Sequence, residues 1–281
     1  INAFMLIVFL YVLIVYPIVG SWQWGGGFLS TFTDEVGFYD FAGSTLVHSV
    51  GGWGGLVIIY LLGARKGKFD SSGKAVAIPG SNIPLSAAGV LILWLGWFGF
   101  NGGSVLSADP ANTSLVLVTT CLAAAAGGLG ASFLSTLMYK NLDITMFMNG
   151  VLGGLVGITA GADQMGPTSA IIIGAIGGAV VVLGVALLDK CKLDDPVGAI
   201  PVHLFAGIWG TLAVGLFGAS AGFDQFMVQL ASTGIVGVFC VIGASIIALI
   251  VKSIMGLRVS DEEEEIGLDI SEHGTKAYFS S

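Results

Sequence analysis

Eight stretches of this chain are apolar over about the length that crosses a lipid bilayer, and short polar breaks separate them. Roughly 20 apolar residues span a hydrocarbon core, where a helix satisfies its own backbone hydrogen bonds. The stretches run approximately 1–22, 40–63, 83–104, 113–139, 143–161, 168–189, 197–221 and 226–255. The breaks carry turn chemistry or charge: Gly25-Gly26-Gly27, Arg65 to Pro84, Asp109-Pro110, Lys140-Asn141, Gly166-Pro167, Lys190 to Pro196, and Gly222. Only 10% of the 281 residues are charged and the mean hydropathy is +0.92, whereas a soluble domain carries about 25% charge. The 44 glycines suit close helix–helix approach in lipid. The chain is therefore expected to be all-α: a polytopic membrane protein with eight spanning helices.

Positive charge gives the orientation. Arg65, Lys66, Lys68 and Lys74 lie in the second loop, Lys140 in the fourth, and Lys190 and Lys192 in the sixth; Lys252, Arg258 and Lys276 follow or close the last helix. These ten are all the Lys and Arg of the chain, and alternate loops place them on one side. The positive-inside rule makes that side cytoplasmic. The organisation expected is a membrane domain over 1–258 and a polar cytoplasmic tail over 259–281. The net charge of −8 comes largely from Asp261 to Glu265 in that tail, so it implies no nucleic-acid or general ionic partner. Cys121, Cys191 and Cys240 are scattered without a metal spacing or a disulfide framework. The chain opens at Ile1 inside an apolar run, so a longer gene product is expected.

Two stretches align with each other: Asp40-Phe-Ala-Gly-Ser-Thr-Leu-Val-His48 and Asp195-Pro-Val-Gly-Ala-Ile-Pro-Val-His203. Each starts with Asp, has Gly fourth, and ends in Val-His; Gly52 and Gly207 follow four residues after the histidines, Gly55 and Gly210 seven after. Asp is a favoured N-cap, and Pro196 fits a first helical position, so both Asp residues are expected to open helices. One helix starts outside and the other inside. Eight residues at about 1.5 Å each bring both imidazoles to similar depth, roughly 12 Å into a core about 30 Å thick. That is the pattern of an inverted-topology repeat with a site at its interface. Matching the halves implies about three helices before Ile1. A lone His in an apolar helix is usually a packing residue; two in matched repeat positions point to a shared site. No mid-membrane acid is available to pair with them, so neutral, mutually hydrogen-bonded imidazoles are expected.

These residues resemble the ammonium transporter (Amt/MEP/Rh) family, Amt type. The family's Asp-Phe-Ala-Gly-x-Thr-x-Val-His lies at Asp40 to His48, and its Gly-Trp-Phe-Gly-Phe-Asn-x-Gly-Ser at Gly96 to Ser104. Its Asp-Asp-Pro…Val-His pattern lies at Asp194 to Gly210, and its Gly-Leu-Arg-Val tail motif begins at Gly256. The resemblance implies family helices four to eleven of an eleven-helix subunit and a homotrimer with one pore per subunit. It implies a twin-histidine pair, His48 and His203, at the pore centre. It places Trp24 and Ser104 in an outer ammonium-recruitment site, with Asp40 supporting it from behind. It makes Phe100 one of two gating phenylalanines and puts Trp97 and Thr159 along the pore. It implies no cofactor or metal. It also implies a PII-type regulatory partner at the cytoplasmic face of a cell membrane. Two departures stand out: the loop Phe28 to Tyr39 is long for the family, and Ser44 stands where Gly is usual.

Plainer readings stand beside these. Trp97 and Phe100 can be core aromatics, Ser104 can bond its own helix, Asp40 is a cap on any reading, and His273 lies in the polar tail. The function implied is conduction of NH4+/NH3. The alternative is an ammonium sensor passing a signal to a fused or partner domain; a neutral gas or water channel of the Rh type is a third reading. No nucleophile–base pair or metal set supports an enzyme.

Overall fold

The computed structural model describes residues 1–33 and 36–278. Residues 34 and 35 of the long loop 28–39, and the last three of the tail, lie outside the described residues. Among the described residues there is no strand, and eight apolar helices account for the eight stretches. Six are long and apolar enough to cross a membrane: α1 (Asn2–Ser21), α2 (Ser44–Leu62), α3 (Ile83–Gly103), α4 (Pro110–Tyr139), α6 (Pro167–Lys190) and α8 (Phe223–Met255). Two are shorter, α5 (Ile144–Thr159) and α7 (Pro201–Phe217). Two small tail helices follow, α9 (Asp261–Ile266) and α10 (Leu268–Ser271).

The breaks work as their chemistry dictates. Asn82, Asp109 and Asp143 accept backbone N–H bonds at the starts of α3, α4 and α5, which leaves fewer unpaired donors there. Pro residues stand in the first turn of α3, α4 and α6, where no N–H is missed.

Small residues bring α4, α5 and α6 into backbone contact. A Cβ on Gly154 would sit 2.1 Å from the Ala123 carbonyl oxygen, and one on Gly178 would sit 2.0 Å from that of Gly127. Any side chain there would force the helices apart, which is why glycines recur at four-residue spacing on these faces. A second packed group joins α1, α2 and α8 through Tyr11, Val15, Leu46, Val50, Val236 and Cys240. The second group meets the rest of the bundle where α2 packs on α7.

The two arms that lead into α2 and α7 differ from the simple cap expected of them. Helix α2 starts at Ser44 and α7 at Pro201, so neither Asp is the residue next to its helix. Instead each carboxylate reaches forward over a bent lead-in. Asp40 accepts from the N–H groups of Gly43, Ser44, Thr45 and Leu46 at 2.8–2.9 Å. Asp195 accepts from Val197, Gly198, Ala199 and Ile200 at 2.7–3.3 Å. The bend needs the fourth-position glycine: Gly43 has φ +114° and Gly198 φ +76°, values costly for residues with a Cβ. Pro196 precedes the helix, and Pro201 takes the first-turn place. Both histidines then lie in a wide, π-type opening turn, Ser44–Ser49 and Pro201–Phe205.

Candidate functional site: a paired-histidine cleft

The helices α2 and α7 run antiparallel, because contacts pair rising positions on one with falling positions on the other. Thr45 meets Thr211 at 2.6 Å, hydroxyl to hydroxyl. A Cβ on Gly207 would lie 2.5 Å from both the Ser44 carbonyl oxygen and Ser49 Oγ, while one on Gly52 would lie 2.7 Å from Leu204 Cβ. The contact is reciprocal: the glycine four places after each histidine receives the residue one place after the other. Only a hydrogen fits, so the two wide turns close on each other.

That approach brings the imidazoles together. His48 Nδ1 and His203 Nδ1 are 3.2 Å apart, and the rings stack with centroids 5.2 Å apart at 23°. Two nitrogens this close share one proton. If one imidazole donates through Nδ1, its neutral Nε2 is bare, and the acceptor ring carries its proton on Nε2. The pair therefore offers one donor and one acceptor away from their mutual bond. His48 Nε2 is buried and has no protein partner among the described residues. Beside the rings lies a cavity of about 330 Å3, lined by both histidines, Val47, Gly51, Gly52 and Ile200.

Aromatic groups close one side. Trp97 stacks on His48 with centroids 4.9 Å apart at 19°, and Phe100 lies 5.4 Å from the same ring. Trp97 is buried, whereas Phe100 is 38% exposed. The Trp97 indole donates to Thr159 Oγ1 at 3.0 Å, and that hydroxyl donates to the Leu155 carbonyl at 2.7 Å. Thr159 has no exposed surface. It stands behind Trp97 and fixes its tilt rather than facing the cavity. Asn101, buried one turn beyond Trp97, donates to Thr120 Oγ1 at 3.0 Å. Asn101 is part of the Gly96 to Ser104 motif but carries no role in the sequence reading; a polar side chain four residues after Trp97 on an apolar helix is the available signal.

At the end where the chain enters α2, the Trp24 indole donates to the Asp40 carbonyl at 2.8 Å, and the Trp24 ring is 44% exposed. Asp40 is fully buried, so its carboxylate meets only the backbone it caps. Ser104 Oγ donates to the Phe100 carbonyl at 2.8 Å, which leaves its lone pairs free to accept. The Ser44 hydroxyl, present where glycine is usual, donates to the Val156 carbonyl at 2.7 Å and so disturbs nothing.

At the opposite end, where the chain enters α7, Asp194 is almost wholly buried and takes three bonds from Arg65: Nε at 2.7 Å, Nη2 at 2.8 Å and the backbone N–H at 2.9 Å. Burial by itself pushes the Asp194 carboxyl up, but these bonds from Arg65 hold it below the usual carboxylate range. The tail docks on the same loop. Arg258 donates to the Leu62 and Ala64 carbonyls and pairs with Glu264, and Glu264 accepts the Lys66 N–H.

Antiparallel helices entered from opposite ends, meeting in paired histidines, define an inverted-repeat helical membrane protein. The chain belongs to the ammonium transporter family: the model of the Ammonium Transporter Family matches residues 1–278. It is 43% identical over 289 residues to the ammonium transporter Amt2 of Archaeoglobus fulgidus, covering 94% of this chain and 62% of that one. It is 41% identical to a putative ammonium transporter of Synechocystis sp., covering 97% and 53%. The chain thus spans between about half and two thirds of the length of these curated relatives. Among solved structures, one described as a sensor Amt protein superposes with a TM-score of 0.87 at 36% identity, over 92% of this chain and 67% of that one. Candida albicans Mep2 gives 0.84 at 28% identity, over 94% and 61%.

Proposed function

We propose that the protein conducts ammonium across a cell membrane, taking up NH4+ at the outer mouth and passing NH3 along His48 and His203. The observation that carries this reading is the Nδ1–Nδ1 pair at 3.2 Å beside an apolar cavity. A bare cation would meet a large desolvation penalty among the glycines and aliphatic side chains there. Neutral ammonia would not, and it can accept from one imidazole while donating to the other.

The route begins at Trp24 and Ser104. An exposed indole face attracts a cation, and the Ser104 lone pairs accept its N–H. Asp40 holds the backbone that Trp24 leans on. At Phe100 the ion gives its proton to water and enters as NH3. K+ has no proton to give and is refused on that ground. Trp97, held by Thr159, keeps the His48 ring in place. The end bearing the lysines and arginines is cytoplasmic, as is the docked tail of α9 and α10. Homotrimer assembly and a PII-type partner at that face belong to the same reading.

The test is ammonium-evoked current in proteoliposomes, compared between wild type and His48→Ala. Loss of ammonium selectivity over K+, or loss of flux, is expected. Wild-type currents with wild-type selectivity would remove the histidines from the mechanism.

A second reading is a sensor on the same scaffold. The superposition on a structure described as a sensor Amt protein favours it, at a TM-score of 0.87. Saturable ammonium binding without flux in the same liposomes would select it.

A further inference from the structure

We infer that Tyr39 is a positioning residue of the outer mouth, clasped by Gln229 and Asp163 so that the neighbouring Asp40 carbonyl is held against the Trp24 indole.

Gln229 lies in α8 with no exposed surface. Its carboxamide pairs with both backbone groups of Tyr39, as one strand pairs with another. Oε1 accepts the Tyr39 N–H at 2.9 Å, and Nε2 donates to the Tyr39 carbonyl at 2.7 Å. Its remaining capacity is also used: Nε2 donates to the Thr211 carbonyl at 3.0 Å, and Oε1 accepts from Gln225 Nε2 at 3.0 Å. An amide has two donors and two acceptor sites, so nothing is left to rotate for. From another direction the Tyr39 hydroxyl donates to Asp163 Oδ2, in the loop between α5 and α6.

The segment that follows is tied just as fully. The Phe41 N–H donates to the Ala160 carbonyl at 2.9 Å and the Ala42 N–H to that of Thr159 at 3.1 Å. The Asp40 carboxylate holds residues 43 to 46. The Asp40 carbonyl is spoken for by Trp24. Its direction is set by the peptide plane that it shares with Phe41, and so by Tyr39 on one side and α5 on the other. A glutamine that gives one donor and one acceptor to the backbone of a single loop residue, and is locked by Thr211 and Gln225 through the rest, does more than pack in an apolar span; a leucine would fill that volume without polar cost.

This inference rests on the reading that Trp24 receives the ion. The experiment is methylammonium uptake into proteoliposomes with wild type, Tyr39→Phe, Gln229→Met and Gln229→Glu, together with 19F NMR of 5-fluorotryptophan-labelled protein. The Trp24 resonance is assigned by its loss in Trp24→Phe. Tyr39→Phe and Gln229→Met should each raise apparent KM about tenfold, the equivalent of one hydrogen bond. The maximal rate per folded molecule should stay within about twofold, since recruitment and not passage is affected. Both variants should move the Trp24 resonance. Gln229→Glu keeps the acceptor for the Tyr39 N–H and should recover part of the KM. Should Gln229→Met fail to fold, Tyr39→Phe, which removes one hydroxyl, carries the test. An unmoved Trp24 resonance overturns the inference, as does a KM unchanged while the maximal rate falls with the amount of folded protein. Trp24→Leu with unchanged KM would instead defeat the recruitment reading, and the 19F resonance alone would then decide the inference.

Discussion

The Asp40 arm of the repeat, outer in the proposed orientation, and the Asp195 arm, inner in it, use one backbone device in opposite surroundings. In each, an aspartate caps four successive N–H groups, a glycine turns the chain at positive φ, and a wide turn presents a histidine. Around Asp40 there is no cation: every Lys and Arg of the chain falls at the other end, and Asp40 is sealed from water beneath Trp24. Around Asp195 the side chain is partly open, and its neighbour Asp194 carries the ion pair with Arg65. Symmetry therefore governs the path of the chain, while sidedness governs the electrostatics. A cap open to water can be replaced by water; a sealed one cannot.

The largest effect follows from that difference. Asp40→Ala leaves buried donors with nothing to bond, at a cost of about 3–5 kcal/mol. Asp195→Ala exposes similar donors to solvent and should cost about 1–2 kcal/mol, the range of ordinary helix caps. Thermal unfolding of the two variants in detergent measures the gap. Equal shifts would mean that burial of the outer cap does not matter, and the contrast between the arms would collapse.

The two glycines sharpen the comparison at smaller scale. A Cβ at Gly43 would meet Val47 Cγ2 at 2.4 Å and Cβ at 2.8 Å, a stiff β-branched group beside His48. A Cβ at Gly198 would meet the Asn149 amide nitrogen at 2.8 Å, the end of a side chain that can swing away. Gly43 is also further from any comfortable left-handed geometry, at φ +114° against +76°. Gly43→Ala should cost about 2–3 kcal/mol and Gly198→Ala about 1–2 kcal/mol. The unfolding midpoint checks both, and a reversed order would place the strain in the inner arm.

How much of this was legible in the residues alone depends on distance along the chain. The eight helices were, because length and hydropathy are local properties, and helix ends differ from the sequence reading by a few residues at most places. The Asp…Gly…Val-His spacing was readable as a repeat, and the antiparallel crossing followed from counting loops. The lead-ins were not: Asp40 and Asp195 look like ordinary N-caps until the glycine turn between them and the helix is seen. Thr159 is placed along the pore by the family resemblance, yet its hydroxyl lies under the Trp97 indole. Gln229 and Tyr39 are 190 positions apart and meet only when α8 packs against the outer loop. No local pattern announces such a pair; the one hint is an unexplained amide in an apolar helix. The capping box of Ser260 and Glu263 in α9 is the opposite case, written in four consecutive residues.

The last difference between the arms is its response to acid. Asp194 is the charged partner of the inner arm, and Arg65 holds its carboxyl below the usual range despite burial. A carboxyl depressed in the folded state contributes stability above its unfolded value, near pH 4, and loses it as pH falls through the folded value. The wild-type unfolding midpoint should therefore drop on acidification below about pH 4. Asp194→Asn should be less stable at neutral pH by about 1–2 kcal/mol, a figure kept low because Arg65 is 38% exposed. It should also show a shallower acid limb, since the group that titrates is gone. Arg65→Gln should lower neutral stability and move the acid limb upward, because the Asp194 carboxyl would lose the guanidinium and keep only the residue 65 backbone N–H and Lys68 against its burial, and so protonate earlier. If Asp194→Asn and wild type lose stability in parallel below pH 4, the inner ion pair is not what distinguishes the two arms, and the tail acids docked on the same loop become the groups to titrate next.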